Sequence, residues 1–249
     1  MKIEYHKWWS PSLNHEMELK VYGHAGKAVI VFPTTSGKFY EYEDFKMVEA
    51  CQPFIERGEL TLWTVDSIDQ QTWLNYGIHP DERAQRYDAY DRYMLQEVVP
   101  FARLHGTPFP KLMVTGCDLG ATHAANFFFK HPDVFDTLAA LSGMYTSRYF
   151  LGDFMDEQTY FHFPLAYLPN LADAWFLSQY RESKIIFCVG QGAWEQDSLM
   201  DTWAMKNVLA EKNIPAWIDF WGEDVSHDWL WWRKQIAYFL GHLPFTTKP

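Results

Sequence analysis

The sequence predicts an α/β fold, a mostly parallel sheet flanked by helices, and three observations predict it. Strand-like and helix-like segments alternate along the chain. Several of the strand-like runs are continuously apolar, the pattern of strands covered on both faces. The length of 249 residues suits one such domain, and 48% hydrophobic residues supply a core. We therefore expect a single domain over 1–249.

The elements follow in order. Residues 16–22 alternate, with Met17, Leu19 and Val21 on one face, as a half-buried edge strand does. Ala28–Phe32 is a continuous apolar strand ended by Pro33-Thr-Thr-Ser-Gly37. A helix is predicted over 43–57, closed by Gly58, then a strand over 60–65. A long helix is expected from Asp81 to about His105, kinked at Pro100 and closed by Gly106. Lys111–Thr115 reads as a strand leading into Gly116-Cys-Asp-Leu-Gly120 and a helix over 121–130. After a strand at 137–141, residues 145–183 are aromatic, irregular and interrupted by Pro164 and Pro169. That excursion reads as a lid-like insertion over the strand ends. Strands at 184–189 and 216–221, with helices over 198–212 and 228–240, complete the alternation.

Composition narrows the partners. Lys and Arg total 21 against 32 Asp and Glu, a net charge of −11, so no phosphate-binding surface for nucleic acid is expected. The three cysteines, Cys51, Cys117 and Cys188, form no CxxC pair or disulfide framework. No leader-like apolar segment opens the chain, and no run approaches the length of a membrane span. We expect a cytoplasmic protein without membrane contact, with homo-oligomerisation left open. No HExxH and no close His/Asp cluster appears in the sequence, so neither metal nor cofactor is expected.

The strand, tight turn and helix around Gly116–Gly120 reproduce the frame of a nucleophile elbow, G-x-S-x-G. Asp118 stands at its centre in place of serine. The competing reading of Asp118 is a helix N-cap. An elbow requires an acid and a histidine later in the chain, in loops after strands. Gly190–Asp197 offers Glu195 and Asp197, of which Asp197 is preferred over Glu195, its main competitor. His227 alone among the histidines lies between the last strand and the last helix.

The segments VFPTTSGKFYEYED, VDSIDQQTWLN, GCDLGATHAANFFFKHPDVFD, GQGAWEQDSL and SHDWLWWRKQIAYFL resemble the esterase family of α/β-hydrolases that includes esterase D and the feruloyl and acetyl-xylan esterases. The resemblance runs from about Lys20 to Leu243 and implies an α/β-hydrolase fold and small-molecule ester substrates. It also implies His227, in His227-Asp228-Trp229, as the catalytic histidine, and an acid about thirty residues earlier, which selects Asp197. Only the nucleophile departs. The oxyanion hole of this architecture uses the backbone N–H of Leu119 and one from the loop after the early strand, Thr35 first and Thr34 next. Cys117, flanking the elbow, reads as a buried structural thiol, and Asp66-Ser67 as a strand-terminal turn.

Three functions follow: an esterase with altered or weak activity, a non-catalytic homologue that keeps the pocket, or an aspartate-nucleophile hydrolase of the haloalkane dehalogenase or epoxide hydrolase type. The last forms an alkyl-enzyme ester at sp³ carbon.

Overall fold

The computed structural model describes residues 1–105 and 107–245; the expected helix stop at Gly106 lies outside them. The strands are β1 (Ile3–Ser10), β2 (His15–Tyr22), β3 (Lys27–Phe32), β4 (Leu60–Val65), β5 (Leu112–Cys117), β6 (Phe135–Leu141), β7 (Lys184–Val189) and β8 (Trp217–Phe220). They form one sheet in the order β1-β2-β4-β3-β5-β6-β7-β8. β1 pairs antiparallel with β2 and β2 antiparallel with β4, while every pair from β4 to β8 is parallel.

Strand periodicity divides the core. Alternate residues of the central strands enter opposite layers: Ile30, Val114 and Leu138 on one side, Val29, Val31, Met113 and Ala139 on the other. The first layer is closed by the Pro80–Tyr93 and Leu119–Lys130 helices, the second by the Met47–Glu56 and Trp229–Leu240 helices. Every residue of β3 and β5 is buried, which explains their unbroken apolar sequence. None of the described helices is long and apolar enough to cross a membrane.

Three expectations are corrected. The strand at 15–22 is not the edge, because β1, unread in the sequence, pairs along its whole length. The helix expected over 43–57 is two, Glu41–Asp44 and Met47–Glu56, divided at Lys46 with φ 61°. In the long helix the disturbance precedes Pro100: Met94–Val98 forms a π turn before the Val99–Leu104 segment. Proline lacks the N–H of a regular turn and its ring crowds the carbonyl four residues back, which the wider turn relieves. The π turn also turns Glu97 to the first hairpin, where it accepts bonds from Trp8 Nε1 (2.8 Å), Ser10 Oγ (2.8 Å) and the Ser12 N–H (3.1 Å).

The aromatic excursion at 145–183 contributes to the core. Tyr145, Phe150, Phe163 and Tyr167 are buried in the main core, and Tyr149, Phe154 and Tyr160 pack against it. Only Phe161 and Trp175 stand about half exposed. Most of its rings extend the core beside the Leu119–Lys130 helix; Phe163, for example, packs on Trp73 with centroids 5.1 Å apart.

Candidate active site

At the end of β5 the chain reverses into the Leu119–Lys130 helix through Asp118, with φ 56° and ψ −128°. That backbone conformation suits glycine better than aspartate. The turn closes because its two glycines lack side chains. A Cβ at Gly116 would lie 2.3 Å from the Gly120 backbone, and one at Gly120 would lie 2.4 Å from the Pro33 carbonyl oxygen. The side chain of Asp118 accepts no bond from the helix's first turn, so it does not act as an N-cap. Cys117 is buried, and burial pushes its thiol well above the usual range, which excludes it as a substitute nucleophile.

Asp118 meets His227. His227 Nε2 lies 3.4 Å from Asp118 Oδ1, and His227 Nδ1 lies 3.0 Å from Glu195 Oε2. The acid in contact with the imidazole is therefore Glu195, and the preference for Asp197 is corrected. Glu195 immediately precedes the Gln196–Glu211 helix and is fully buried, whereas Asp197 is exposed in its first turn. Two helical residues rotate a side chain by roughly 200°, so the chain cannot aim both carboxylates inward. Glu195 is held by Ser142 Oγ (2.6 Å) and the Gly190 N–H (3.2 Å), both donating to Oε1. Ser142 in turn accepts from Trp232 Nε1 at 3.1 Å, and the Trp232 ring stands edge-on to His227 at 4.8 Å.

The other oxygen of Asp118, Oδ2, accepts the backbone N–H of Thr35 at 2.9 Å and the Thr35 hydroxyl at 2.5 Å. Leu119 supplies the first N–H of the helix, which has no intrahelical acceptor. Thr34, the second choice for the oxyanion donor, is turned elsewhere: its N–H goes to Glu41 Oε2 (2.8 Å) and its hydroxyl to Glu41 Oε1 (2.7 Å). The Ser36 N–H goes to Asp69 Oδ2 at 3.0 Å. Three successive backbone N–H groups thus end on three carboxylates from different parts of the chain. Asp69 is itself fixed by His123 Nε2 (2.9 Å), and His123 Nδ1 by the Tyr87 hydroxyl (2.6 Å).

Glu41, Asp69, His123 and Tyr87 were not singled out from the sequence. The usable signal was His123 within the mostly apolar Leu119–Lys130 helix, a buried histidine that needs partners. Asp66 and Ser67 support the same loop rather than the pocket: Asp66 accepts the Phe39 N–H at 3.0 Å and Ser67 Oγ donates to the Gly37 carbonyl at 3.1 Å.

Electrostatics sets the protonation. Burial opposes charge on His227, but hydrogen bonds to Asp118 and Glu195 outweigh it and raise its pKa to about 9. Burial likewise opposes charge on Asp118, yet the bonds from His227 and Thr35 hold its pKa below the usual carboxylate value. At neutral pH this pairing favours a protonated His227 facing an ionised Asp118.

A sequence model of the family described as "Putative esterase" matches residues 10–243. The chain belongs to that family. As a member of the esterase family it is a carboxylic ester hydrolase-like protein with an α/β-hydrolase fold. Among solved structures it is similar to a ferulic acid esterase, with 15% identity, 97% of each chain covered and a TM-score of 0.74. An S-formylglutathione hydrolase from Agrobacterium tumefaciens matches at 13% identity, covering 96% of this chain and 93% of that one, with a TM-score of 0.75. MPT51 from Mycobacterium tuberculosis matches at 14% identity, with 97% of each chain covered and a TM-score of 0.74. No curated protein sequence matches the chain.

Proposed function

We propose that this esterase-family chain recognises small carboxylic esters, and that Asp118 holds the site in an ion-paired resting state with weak turnover at neutral pH. One observation carries the reading: Asp118 Oδ2 sits on the Thr35 N–H at 2.9 Å, the donor expected for an ester oxyanion, while Oδ1 faces His227. A serine ester cycle needs that donor free and a neutral histidine to take the nucleophile's proton. Here the donor is engaged and the histidine is already protonated. Attack by a carboxylate on an ester would give a mixed anhydride, which reverts readily. The remaining route is general-base attack by water, and it strengthens as His227 loses its proton near pH 9.

Asp118→Ser tests this. It removes one of the two carboxylates beside His227 and frees the Thr35 N–H, so hydrolysis of short aryl esters is expected to rise by about 100-fold or more at pH 7.5. The gain should vanish in Asp118→Ser/His227→Ala. A folded, inert Asp118→Ser protein would overturn the reading.

The same carboxylate also supports a second reading, attack on sp³ carbon. Thr35 pins Oδ2, leaving Oδ1 to form an O–C bond as the leaving group departs with its electron pair. The resulting ester would place Oδ2 as a carbonyl oxygen on the Thr35 N–H and would discharge Asp118, which releases His227 to act as base on water. Opposing it, Leu119 beside the nucleophile offers a leaving group no side-chain donor. Intact-mass measurement of His227→Ala with alkyl halides and epoxides separates the two readings: a retained alkyl adduct on Asp118 establishes the second, and an unchanged mass removes it.

A further inference from the structure

Far from this centre in the sequence, two histidines and a carboxylate converge where β1 meets the end of the helix that follows the π turn. Glu4 and His6 lie two apart on β1, so both point to the same face of the sheet. His105, just past the Val99–Leu104 helix, comes down on that face. One ligand atom from each of Glu4, His6 and His105 lies within 4.8 Å of the others. We propose that these three residues bind a divalent first-row transition metal, zinc being the representative ion. The sequence offered no sign of it, because Glu4 and His6 are about a hundred residues from His105 and match no ligand-spacing motif.

Four features make this a built site. His6 Nε2 is buried and has no hydrogen-bond partner, and Glu4 Oε2 stands 3.8 Å from it, too far for a hydrogen bond. The orientation of His105 is fixed from behind: Nδ1 lies 3.1 Å from the Phe101 carbonyl oxygen, which takes its proton and leaves the Nε2 lone pair available. A backbone carbonyl behind a metal-binding histidine performs this role. The rings are also gripped, with His105 edge-on to Phe101 at 4.3 Å and to Trp63 at 5.3 Å, and His6 edge-on to Phe101 at 4.9 Å. Finally, two of the three residues, Glu4 and His105, line a cavity of about 60 Å³ shared with Lys2 and His24, room for about two waters beside the site, while His6 approaches from outside that cavity.

The chemistry of the donors selects the ion. Two imidazoles with one carboxylate suit zinc, nickel, copper or iron better than calcium or magnesium, which favour oxygen ligands. Bonds of about 2.0–2.2 Å place tetrahedral ligand atoms roughly 3.3 Å apart. The present separations, all within 4.8 Å, reach that when the Glu4 carboxylate rotates and the His105 ring closes toward His6. Lys2 opposes the rotation, because its Nζ holds Glu4 Oε1 at 2.8 Å. That competition gives the proposal a signature that adventitious binding at surface histidines lacks.

Titration of the full chain with zinc chloride by calorimetry, at pH 7.5 without chelating buffer, tests it. One equivalent is expected to bind, and His6→Ala, His105→Ala and Glu4→Gln should each weaken binding by roughly tenfold or more. Lys2→Ala should tighten it, and His79→Ala, at an exposed histidine elsewhere, should leave it unchanged. Zinc should also raise the melting temperature of the parent protein but not of His105→Ala, since a ligand of the native state alone stabilises by mass action. His105 is exposed, so its variant is expected to fold, and circular dichroism verifies this. Absence of binding tighter than millimolar, or binding unaffected by His105→Ala and His6→Ala, would overturn the assignment.

Discussion

Backbone strain marks the residues that form the centre. Among non-glycine residues with positive φ, Ser36 (59°), Asp118 (56°), Ser142 (54°) and Trp194 (68°) lie in loops that meet there. Such conformations cost on the order of 1–3 kcal/mol each and persist only where surrounding contacts fix them. Trp194 shows the consequence, since it directly precedes Glu195, the carboxylate that His227 meets. If Glu195 orients and charges the imidazole, Glu195→Gln in the Asp118→Ser background should lower kcat by about a thousandfold or more, as removal of a triad acid does. Asp197→Asn should leave kcat within about twofold, because the exposed carboxylate holds no hydrogen bond to His227. Stopped assays of both double variants on one aryl ester decide between the two acids, and equal losses would refute the assignment to Glu195. The thirty-residue spacing that selected Asp197 falls two residues short of Glu195, and within a helical turn two residues reverse the direction of a side chain.

At the scale of elements, the loop from Pro33 to Gly37 shows how a rigid scaffold aims a donor. Thr35 points its N–H at the elbow because the N–H groups on either side are tied down, Thr34 to Glu41 and Ser36 to Asp69. Removing Asp69 leaves the part-buried Ser36 N–H and the buried Nε2 of His123 without their partner. Asp69→Ala should therefore destabilise the fold by about 1–3 kcal/mol in urea unfolding. In the Asp118→Ser background it should lower kcat more than it changes KM, since the donor acts on charge that develops in the transition state. A pure stability loss with kcat unchanged would show that the loop holds itself. This network was not legible in the sequence, because its members are scattered from Glu41 to His123 and each has an ordinary local role. The parallel strands β3 to β7 were legible, since burial on both faces leaves an uninterrupted apolar run. β1 was not, because its outward residues Ile3, Tyr5 and Trp9 are apolar yet exposed, and its inward Glu4 and His6 are polar. The elbow and His227 were readable from context alone, because glycine spacing and a loop between the last strand and helix are local features. The choice of acid required a direction in space.

For the whole molecule, the charge arrangement at the centre becomes a dependence of global stability on pH. His227 has a folded pKa of about 9, above the ordinary 6.5, so folding favours its protonated form. That contribution is complete below pH 6.5 and is lost as the pH rises through 9. The carboxylates act in the opposite sense. Asp118 is held below its ordinary value, and Asp91, buried yet bonded to His131 and Lys130, is lowered to about 2. Their contributions are complete above pH 4; that of Asp91 is lost as the pH falls toward 2, and that of Asp118 as the pH falls through its own depressed value. The His227, Asp118 and Asp91 contributions together are thus flat between roughly pH 4 and 6.5 and decline on both sides, while Glu41, Asp66 and Asp201, raised by burial, and His6 and His162, lowered by burial, add slopes of their own. The alkaline decline attributable to His227 is on the order of 3 kcal/mol from its pKa displacement. Comparison with His227→Gln isolates it, because the tyrosines and lysines that titrate above pH 9 are common to both proteins. Urea unfolding at pH 6, 7.5 and 9.5 should show the parent's advantage over His227→Gln shrinking as the pH rises, with most of the change above pH 7. Asp118→Ser should retain a smaller part of the slope, since one of the two partners that raise the histidine's pKa is gone. Parallel curves for parent and His227→Gln would mean that the imidazole is neutral in the resting protein. The suppression of turnover would then rest on the occupied Thr35 donor alone.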